Sequence, residues 1–528
     1  MKNKTFKMTK LLLAIFLVVS VLLPLVRLLI NVKIEDVNSI IHSPQFGPMI
    51  WNSLATTSIA TIISVSLAWG LAWCVNRTQI RFRAIISVLF TLPMLIPSIS
   101  HGMGLVLLFG DNGLITNWLG INIGLYGYKG IVMGSLLYSF PVAFLMLTDV
   151  FQYEDYTVYE AASVLGLDKK QQFFSITVPN MKKTLISTIF AVFTMIFTDY
   201  GVPLVVGGKI LTIPVYMYRE VIGLLDFSKG AIIGIILLIP AVIAFILDLK
   251  SEENTNASTV TKQFAVEVNK GRDLFAYIFC GVVIFLISLP LMAFAYLSIV
   301  EQYPIDMSLS MTNIAQAFEL GVGGYLLNSL TIALLTSLVG LTVIYVTAYL
   351  TSRSRKTFST MVLHLISMIS LAIPGIVLGL SYVIFFKGSW IYGTLIMLVL
   401  VNMVHFFASP YLIAYNSLGK FNEKLEDVAA VMGISRLRML LDVYVPCTVE
   451  SMVEMFSYLF VNSMVTISAV SFLANFKNMP LALVIPQFDA QSLIEATAFI
   501  SIIILFVNGL LKVAVYFIKR RIRKQEIM

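Results

Sequence analysis

Long apolar runs separated by short polar segments dominate this chain. Runs of about 20 apolar residues have the length that a helix needs to cross a ~30 Å hydrocarbon core. A large soluble core would not need so many nearly uncharged runs. The pattern predicts an all-α polytopic membrane protein with about twelve transmembrane helices, near residues 11–30, 51–76, 85–109, 130–151, 184–206, 230–249, 274–298, 325–350, 360–386, 391–415, 449–473 and 494–518.

The charge distribution gives these spans an orientation. Only 12% of the 528 residues are charged, against about a quarter in soluble domains. The net charge of +8 first suggests nucleic acid, but most of the 36 Lys and Arg lie in alternate loops and at the two ends of the chain. By the positive-inside rule, both termini are then cytoplasmic, and the basic surplus faces a lipid bilayer rather than nucleic acid.

Few residues suggest chemistry within the chain. The three cysteines are scattered and the four histidines do not cluster, so the sequence predicts neither a disulfide framework nor a metal site. There is no H-E-x-x-H and no G-x-S-x-G motif, so an intramembrane enzyme is not favoured and no catalytic residue is expected. The apolar run after Met1 to Lys10 is interrupted by Pro24 and Arg27, which favours an uncleaved first span over a signal peptide.

One polar, cationic stretch occurs twice. Residues 160–166 read Glu-Ala-Ala-Ser-Val-Leu-Gly and continue to Pro179, while residues 427–433 read Asp-Val-Ala-Ala-Val-Met-Gly and continue to Pro446. The acid, the glycine and the proline of the second copy all lie at one constant distance from their counterparts in the first. A single loop of this kind would be taken as an ordinary amphipathic linker, but two copies at matching positions indicate a duplicated device.

The neighbouring spans repeat in the same order. Asn-Ser-Leu at 52–54 recurs at 328–330, and Arg77 at the end of that span recurs as Arg353, at the same distance. Ile-Pro at 96–97 recurs at 373–374. Several matches in one order indicate an internal repeat.

The repeat also constrains the topology. Both polar loops fall on the cationic side, so an even number of spans separates them, and six spans per half satisfies this. The halves are then parallel repeats rather than inverted ones. We expect a first half at residues 1–250, a cytoplasmic linker at 251–273 and a second half at 274–528.

The loops themselves, residues 152–183 and 417–448, are expected to form two short helices with a bend. Good helix formers precede a glycine at which a helix can stop, and Pro179 is expected to break the backbone before the fifth span. These two segments are called the first loop and the second loop below.

The spacing Glu-Ala-Ala, three residues, Gly, twelve residues, Pro resembles the EAA loop of binding-protein-dependent ABC importer permeases. The second loop departs from it with Asp for Glu and Val428 for the first Ala. The resemblance implies a MetI-like, type I importer fold with two fused permease halves, in a prokaryotic cell membrane, supplied by an extracytoplasmic solute-binding protein. It also implies that each loop contacts one subunit of a cytoplasmic ABC ATPase dimer through Glu160, Ala161, Ala162, Gly166 and Pro179 in the first loop, and Asp427, Ala429, Gly433 and Pro446 in the second.

The chain has no phosphate-binding loop of its own. Gly207-Gly208-Lys209 comes nearest to G-x-x-x-x-G-K-[ST], but Ile210 follows it and the upstream Gly is missing. The protein is therefore predicted to be a transport permease and not an enzyme. No cofactor is expected on this chain, because ATP and Mg would bind the partner ATPase.

Polar residues near the membrane interior are candidates for the translocation path. Asp199 stands where an acid is costly, although capping a short helix or pairing with Lys209 explains it equally well. Its counterpart in the second copy lies in a polar stretch, and the path candidates there are Asn462, Thr466 and Ser468. Small polar residues of this kind also commonly bond to neighbouring helices.

Two further acids lie four residues apart near the inner end of the eleventh span. Glu450 and Glu454 are expected to pair with Arg436 or Arg438, and a role in proton coupling is less favoured.

The cargo is indicated only by resemblance. Residues 199–209 and 464–473 are similar to permeases for 2-aminoethylphosphonate and to the ferric-iron group. The phosphonate match is preferred, with ferric iron, thiamine or polyamines as alternatives. A secondary transporter driven by an ion gradient is the runner-up class, and it would need paired ionisable residues at the midplane.

Overall fold

The computed structural model describes residues 2–152, 154–252, 262, 264, 266, 268–355, 357–422 and 424–527. Residue 153 of the first loop, residue 423 of the second loop and most of the predicted linker lie outside the described residues. The helices of the first half are α1 (Lys2–Leu17), α2 (Leu23–Ile30), α3 (Ile34–Ile41), α4 (Phe46–Arg77), α5 (Arg83–Thr91), α6 (Ser98–Phe109), α7 (Leu114–Leu119), α8 (Tyr128–Gln152), α9 (Thr157–Val164), α10 (Lys169–Gln172), α11 (Val178–Phe197), α12 (Gly201–Val206), α13 (Ile213–Tyr218) and α14 (Phe227–Glu252).

The second half repeats this helical pattern and adds one small hairpin. Its strands pair antiparallel, Val300 opposite Leu309, with a bulge between them. The elements are α15 (Lys270–Leu297), β1 (Val300–Gln302), β2 (Asp306–Leu309), α16 (Thr312–Glu319), α17 (Val322–Ser352), α18 (Phe358–Ile369), α19 (Gly375–Phe386), α20 (Leu395–His405), α21 (Ala408–Gly419), α22 (Leu425–Val431), α23 (Arg436–Met439), α24 (Val445–Cys447), α25 (Val449–Val465), α26 (Leu481–Ala490) and α27 (Ile494–Ile527).

The helices confirm the all-α membrane fold. Among the described residues, six helices are long and apolar enough to cross a membrane: Met8–Ile30, Phe46–Arg77, Tyr128–Gln152, Lys270–Leu297, Val322–Ser352 and Ile494–Lys524. Three more apolar pairs are bent, α5 with α6 and α7 by 97°, α18 with α19 by 111°, and α20 with α21 by 54°. Proline explains the first two bends, because Pro97 and Pro374 precede α6 and α19 and disfavour a helical residue before them.

Two predicted spans end earlier than expected. The sequence predicts continuous runs at 184–206 and 449–473, but α11 ends at Phe197 and α25 ends at Val465. The chain leaves the helix at Thr466 with extended backbone, ψ 134°. In the first half a separate short helix, α12, follows the break. Apolar composition alone does not reveal such interruptions, because polar residues inside a span are also compatible with a continuous helix.

The chain forms two compact units, and neither unit is one continuous stretch of sequence. The first unit consists of Ser43–Tyr216 and Ile239–Asn313, and the second unit consists of Met1–His42, Met217–Leu238 and Ile314–Met528. The opening helix of each sequence half therefore belongs to the unit that holds most of the other half. The sequence boundaries at 250 and 273 remain a prediction about the repeat, and the units describe packing.

Close contacts fix these exchanged helices within their units. In the first unit α15 packs on α6, where a Cβ on Gly104 would lie 2.6 Å from Pro290 Cβ, so a side chain there would force the helices apart. In the second unit α2 packs on α19, and the buried Tyr382 hydroxyl donates to the Ser20 carbonyl at 2.7 Å. Tight packing of this kind drives helix association in lipid.

Candidate functional site

The first loop turns sharply after α9. Gly166 adopts φ +80°, which favours glycine. The backbone N–H of Leu167 donates to the Ala162 carbonyl at 3.0 Å, a closure typical of a helix that ends in a left-handed glycine. The Asp168 side chain then accepts from the Gln171 N–H at 2.7 Å and starts α10.

The second loop has the same backbone. Gly433 adopts φ +71° after α22, and the Ile434 N–H donates to the Ala429 carbonyl at 2.8 Å. Ser435 accepts from the Arg438 N–H at 3.2 Å and caps α23. The prediction of two short helices joined by a bend at the glycine is confirmed in both loops.

The expected break at Pro179 is wrong. Helix continues from Lys169 through a π-helical turn, Phe173–Thr177, into α11, and Pro179 lies in the first turn of α11. Pro446 lies likewise in the first turn of α24, after the π-helical turn Leu440–Tyr444. Proline is tolerated in a first turn, where its missing N–H has no helical partner in any case.

Each loop presents an apolar tip at its bend. Ala162 and Ala429 face the body of the protein and are buried, while Glu160, Ala161 and Asp427 are exposed. The residues just before each glycine carry apolar side chains that the rest of the described chain leaves uncovered, with exposed fractions of 88% for Val164, 78% for Leu165, 90% for Val431 and 69% for Met432. Sequence analysis missed these pairs, although they occupy matching positions in the two copies. The two apolar tips are therefore candidates for a contact surface.

A buried ion pair holds the first loop to the end of α4. The Arg77 guanidinium pairs with Glu154, and both side chains are at most 8% exposed. The same guanidinium donates to the Phe151 carbonyl at 3.1 Å. The Tyr159 hydroxyl bonds Glu154 and lies 2.7 Å from the Thr177 hydroxyl. Burial and the bond to Glu154 raise the pKa of Tyr159.

A second ion pair, between a buried arginine and a partly exposed acid, holds the second loop to the end of α17. Arg353 binds Glu426 through Nε at 2.7 Å and a terminal nitrogen at 2.6 Å, the bidentate geometry that suits a planar guanidinium. It also donates to the Phe421 carbonyl at 2.9 Å. The Tyr444 hydroxyl donates to Glu426 at 2.5 Å. Burial opposes ionisation of Glu426, but the bonds from Arg353 and Tyr444 outweigh it and lower its pKa.

The two anchors use equivalent arginines and non-equivalent acids. Arg77 and Arg353 match in the repeat of the spans, but the residue of the second loop that corresponds to Glu154 is Phe421. Glu426 matches Tyr159 instead, and Tyr444 matches Thr177. Sequence analysis found the arginines only as span ends and missed their partners, because the acids occupy different places in the repeat.

The expected partners of Glu450 and Glu454 are wrong. Arg523 and Lys519 on α27 pair with these acids, not Arg436 or Arg438. The physical reason is that α27 packs along α25, which brings two cations four residues apart onto two acids four residues apart. Arg438 pairs with Asp442 at 3.1 Å.

Asp199 acts as a cap in the first unit. Its buried carboxylate accepts from the Ser98 hydroxyl at 2.6 Å and from the N–H groups of Gly201 and Val202 at 3.3 and 3.0 Å, at the start of α12. The capping interpretation is confirmed, and the structure gives no ion pair with Lys209 among the described residues. Asp199 also lines a cavity of about 10 Å³, roughly the space of one water.

The other path candidates lie in the second unit. The Asn462 side chain donates to the Tyr458 carbonyl at 2.8 Å, and Thr466 ends α25. Ser468 is partly exposed. A Cβ on Gly375 would press against the Ser468 hydroxyl and lie 2.9 Å from His405 Nε2. A glycine at the bend before α19 thus lets two polar side chains from different elements approach each other, and sequence analysis did not single out His405.

Comparison with known proteins gives one family and several relatives. Residues 60–250 and 345–524 each match the family model described as "Binding-protein-dependent transport system inner membrane component". The chain is 26% identical over 462 residues to a ferric transport system permease protein, FbpB 1, of Haemophilus influenzae, covering 83% of this chain and 72% of that one.

Two further relatives show the breadth of the similarity. The ferric transport system permease protein FbpB of Actinobacillus pleuropneumoniae is 27% identical over 465 residues, covering 83% of this chain and 66% of that one. A sulfate transport system permease protein, cysT, of Nephroselmis olivacea is 26% identical over 249 residues, covering 45% of this chain and 87% of that one.

Proposed function

This chain belongs to the family of binding-protein-dependent transport system inner membrane components, as a fused two-domain ABC permease, and we propose that it imports ferric iron. In this proposal a separate cytoplasmic ATPase dimer drives the transport and an extracytoplasmic solute-binding protein delivers the cargo. The observation that carries the ATP-driven mechanism is the duplicated bent loop, which has one backbone, one apolar tip and one buried arginine anchor in each copy.

The apolar tips are suited to docking in a groove on a partner. Val164 with Leu165, and Val431 with Met432, would bury surface that is otherwise in water, at about 25 cal/mol per Å². Movement of the partner would then reach the membrane through the anchors, because Arg77 ends α4 and Arg353 follows α17. In this proposal the loops, each tied to one span, are the levers for alternating access, and both termini are cytoplasmic.

The cargo proposal departs from the sequence preference. The two relatives that cover most of this chain are named as ferric permeases, which supports the iron alternative. The preference for 2-aminoethylphosphonate gains no support from the relatives reported above. Identity of 26% and 27% to these two relatives leaves room for another solute, and the test below therefore includes several.

We place the translocation path of this proposal in the second unit at Ser468 and His405, with Asn462 and Thr466 beside them. The first two side chains are partly exposed and converge on Gly375. Asp199 is assigned a structural role, because its carboxylate accepts three hydrogen bonds in the first unit. Replacing Gly375 by Ala should block uptake while leaving the membrane level of the permease unchanged.

The test is reconstitution in proteoliposomes with the cognate ATPase and binding protein. Uptake of iron that requires all three components and ATP is expected. Uptake driven by an ion gradient, without ATPase or binding protein, would contradict the importer proposal. A thermal-shift panel on the binding protein, with ferric iron, 2-aminoethylphosphonate, phosphate, thiamine and spermidine, tests the cargo separately. Stabilisation by a solute other than iron would overturn the cargo and leave the mechanism standing.

A further inference from the structure

We propose that three residues of the linker between the halves, Lys262, Phe264 and Val266, form a strap that positions the first loop, and that the second loop has no counterpart of it among the described residues. These three residues are called the linker strap. The proposal rests on the proposed docking of an ATPase to the loops. It makes the linker a working part of the coupling machinery rather than a passive connection.

Backbone contacts tie the strap to both sides of the anchor. The Tyr156 N–H donates to the Lys262 carbonyl at 3.0 Å, just before α9 begins. The Lys262 N–H donates to Asp155 at 3.3 Å, and the Gln79 side chain donates to the Val266 carbonyl at 3.0 Å. The strap thus joins the start of the loop helix to the end of α4.

The Phe264 ring covers the buried ion pair. Its centroid lies 3.6 Å from the Arg77 guanidinium carbon, well inside the range of a cation–π contact. The ring also meets Tyr156 and Tyr159 edge-on, with centroids 4.9 and 5.0 Å away. By excluding water, the ring strengthens the pairing of Arg77 with Glu154.

In the second loop, the aromatic rings near the anchor arginine come from the loop itself. Tyr444 lies over Arg353, 5.4 Å from the guanidinium carbon to the ring centroid, and Phe421 packs edge-on against Tyr444 at 5.3 Å. Both aromatic residues belong to the second loop itself. The first loop has Thr177 where the second has Tyr444. Phe151 at the end of α8 lies 5.1 Å from the Arg77 guanidinium carbon, and the closer ring, Phe264, comes from the linker.

Lys262 adds a charge contact to the motif residue Glu160. The two side chains pair while each remains about half exposed, so the pair contributes little to stability. Its effect is on position, because Glu160 lies on α9 about two turns before the bend. The strap contacts the beginning of α9 and leaves Val164 and Leu165 exposed at the tip. It therefore sets the angle of the loop without covering the apolar tip.

The test compares Phe264→Ala with Val268→Ala in the full complex. Val268 is a linker residue whose side chain is 71% exposed, which makes it a matched control. We expect Phe264→Ala to retain the ATPase on co-purification but to lower the solute moved per ATP hydrolysed by about five-fold or more. Val268→Ala should match wild type. Phe264→Trp keeps an aromatic ring and should therefore keep the wild-type ratio of solute moved to ATP hydrolysed. An unchanged ratio in Phe264→Ala would overturn the strap.

A second measurement does not depend on the ATPase. In a Cys447→Ser background, Lys262→Cys with Glu160→Cys should be joined in membranes by a short bismaleimide crosslinker, because the native side chains at these positions meet only at their ends, while Lys262→Cys alone should give no intramolecular crosslink. Absence of the first crosslink in a folded, monodisperse chain would overturn the strap. If the wild-type chain holds no ATPase but the crosslink forms, the proposed docking fails and the strap contact stands.

Discussion

The first and second loops have nearly the same backbone and different anchors. Both turn at a left-handed glycine, both close with an N–H to an alanine carbonyl, and both continue through a π-helical turn. The acid that holds the arginine precedes α9 in one loop and lies within α22 in the other. The ring that lies nearest the arginine comes from the linker in the first loop and from the loop itself in the second. Duplication here has kept the shape and redistributed the chemistry that maintains it.

Removing an anchor arginine should have the largest effect. Arg77→Ala leaves the buried carboxylate of Glu154 without its cation, which costs about 3 to 5 kcal/mol. Arg353→Ala does the same to Glu426, whose side chain is 13% exposed, so thermal unfolding in detergent should show a loss for both variants that is no larger for Arg353→Ala. The exposed neighbours Arg81 and Arg355 supply controls, whose replacement by Ala should change little. A loss of stability in only one of the two variants would show that the two anchors are not equivalent.

Removing a tyrosine hydroxyl should have the next largest effect and should distinguish the loops. A hydrogen bond to a charged group contributes about 1.5 to 3 kcal/mol. Tyr159→Phe removes the partner of both Glu154 and Thr177, whereas Tyr444→Phe removes the partner of Glu426 alone. Unfolding measurements should therefore give a greater loss for Tyr159→Phe. The reverse order would show that the shared hydroxyl contact with Thr177 contributes nothing.

Replacing the bend glycines should affect both loops alike. Gly166→Val and Gly433→Val meet open space but force a left-handed conformation, at about 1 to 2 kcal/mol. We expect the permease to remain in the membrane while ATPase co-purification or coupled transport falls. Asn tolerates this conformation, so Gly166→Asn and Gly433→Asn should retain function. Normal transport in both Val variants would contradict the role of the bends.

Acid should weaken the second anchor, with the smallest effect. The pKa of Glu426 is lowered below its ordinary value of 4.5. Its stabilising contribution is therefore complete above pH 4.5 and is lost as the pH falls through the lowered pKa. Unfolding followed from neutral pH into acid should show this loss in wild type. In Glu426→Gln the contribution is absent at every pH, so a comparison of the two slopes isolates it.

The sequence was most informative where a feature repeats. Gly166 and Gly433 predicted the bends because only a few residues tolerate that backbone, and apolar runs predicted the spans. The ion pairs of the two anchors could not be predicted. Glu154 and Glu426 occupy different positions in the repeat, and only packing brings them to equivalent arginines. The exchange of α15 and α2 between units was also unpredictable, since an apolar helix does not specify which neighbour it packs on.

The two bends before α6 and α19 also differ in a way that the sequence did not predict. Ser98 and Gly375 occupy equivalent positions, each directly after the proline of the repeated Ile-Pro pair. In the first unit the Ser98 hydroxyl donates to the Asp199 carboxylate, so the two polar groups satisfy each other. In the second unit the glycine leaves room for the side chains of Ser468 and His405, which both lie where a Cβ on Gly375 would be in contact with them. The difference between Ser98 and Gly375 thus separates a bend whose polar side chains pair with each other from a bend beside two partly exposed polar side chains, Ser468 and His405.

The placement of the first helix in the second unit has a consequence for biogenesis. α2 is synthesised well before its partner α19, which ends at Phe386. At about 5 to 20 residues per second, synthesis of the roughly 350 residues between them takes about 20 to 70 s. The segment from Ser20 to α2 therefore waits in lipid, without the bond from Tyr382, until α19 has been inserted. Membrane insertase factors that shield this segment would be needed throughout that interval.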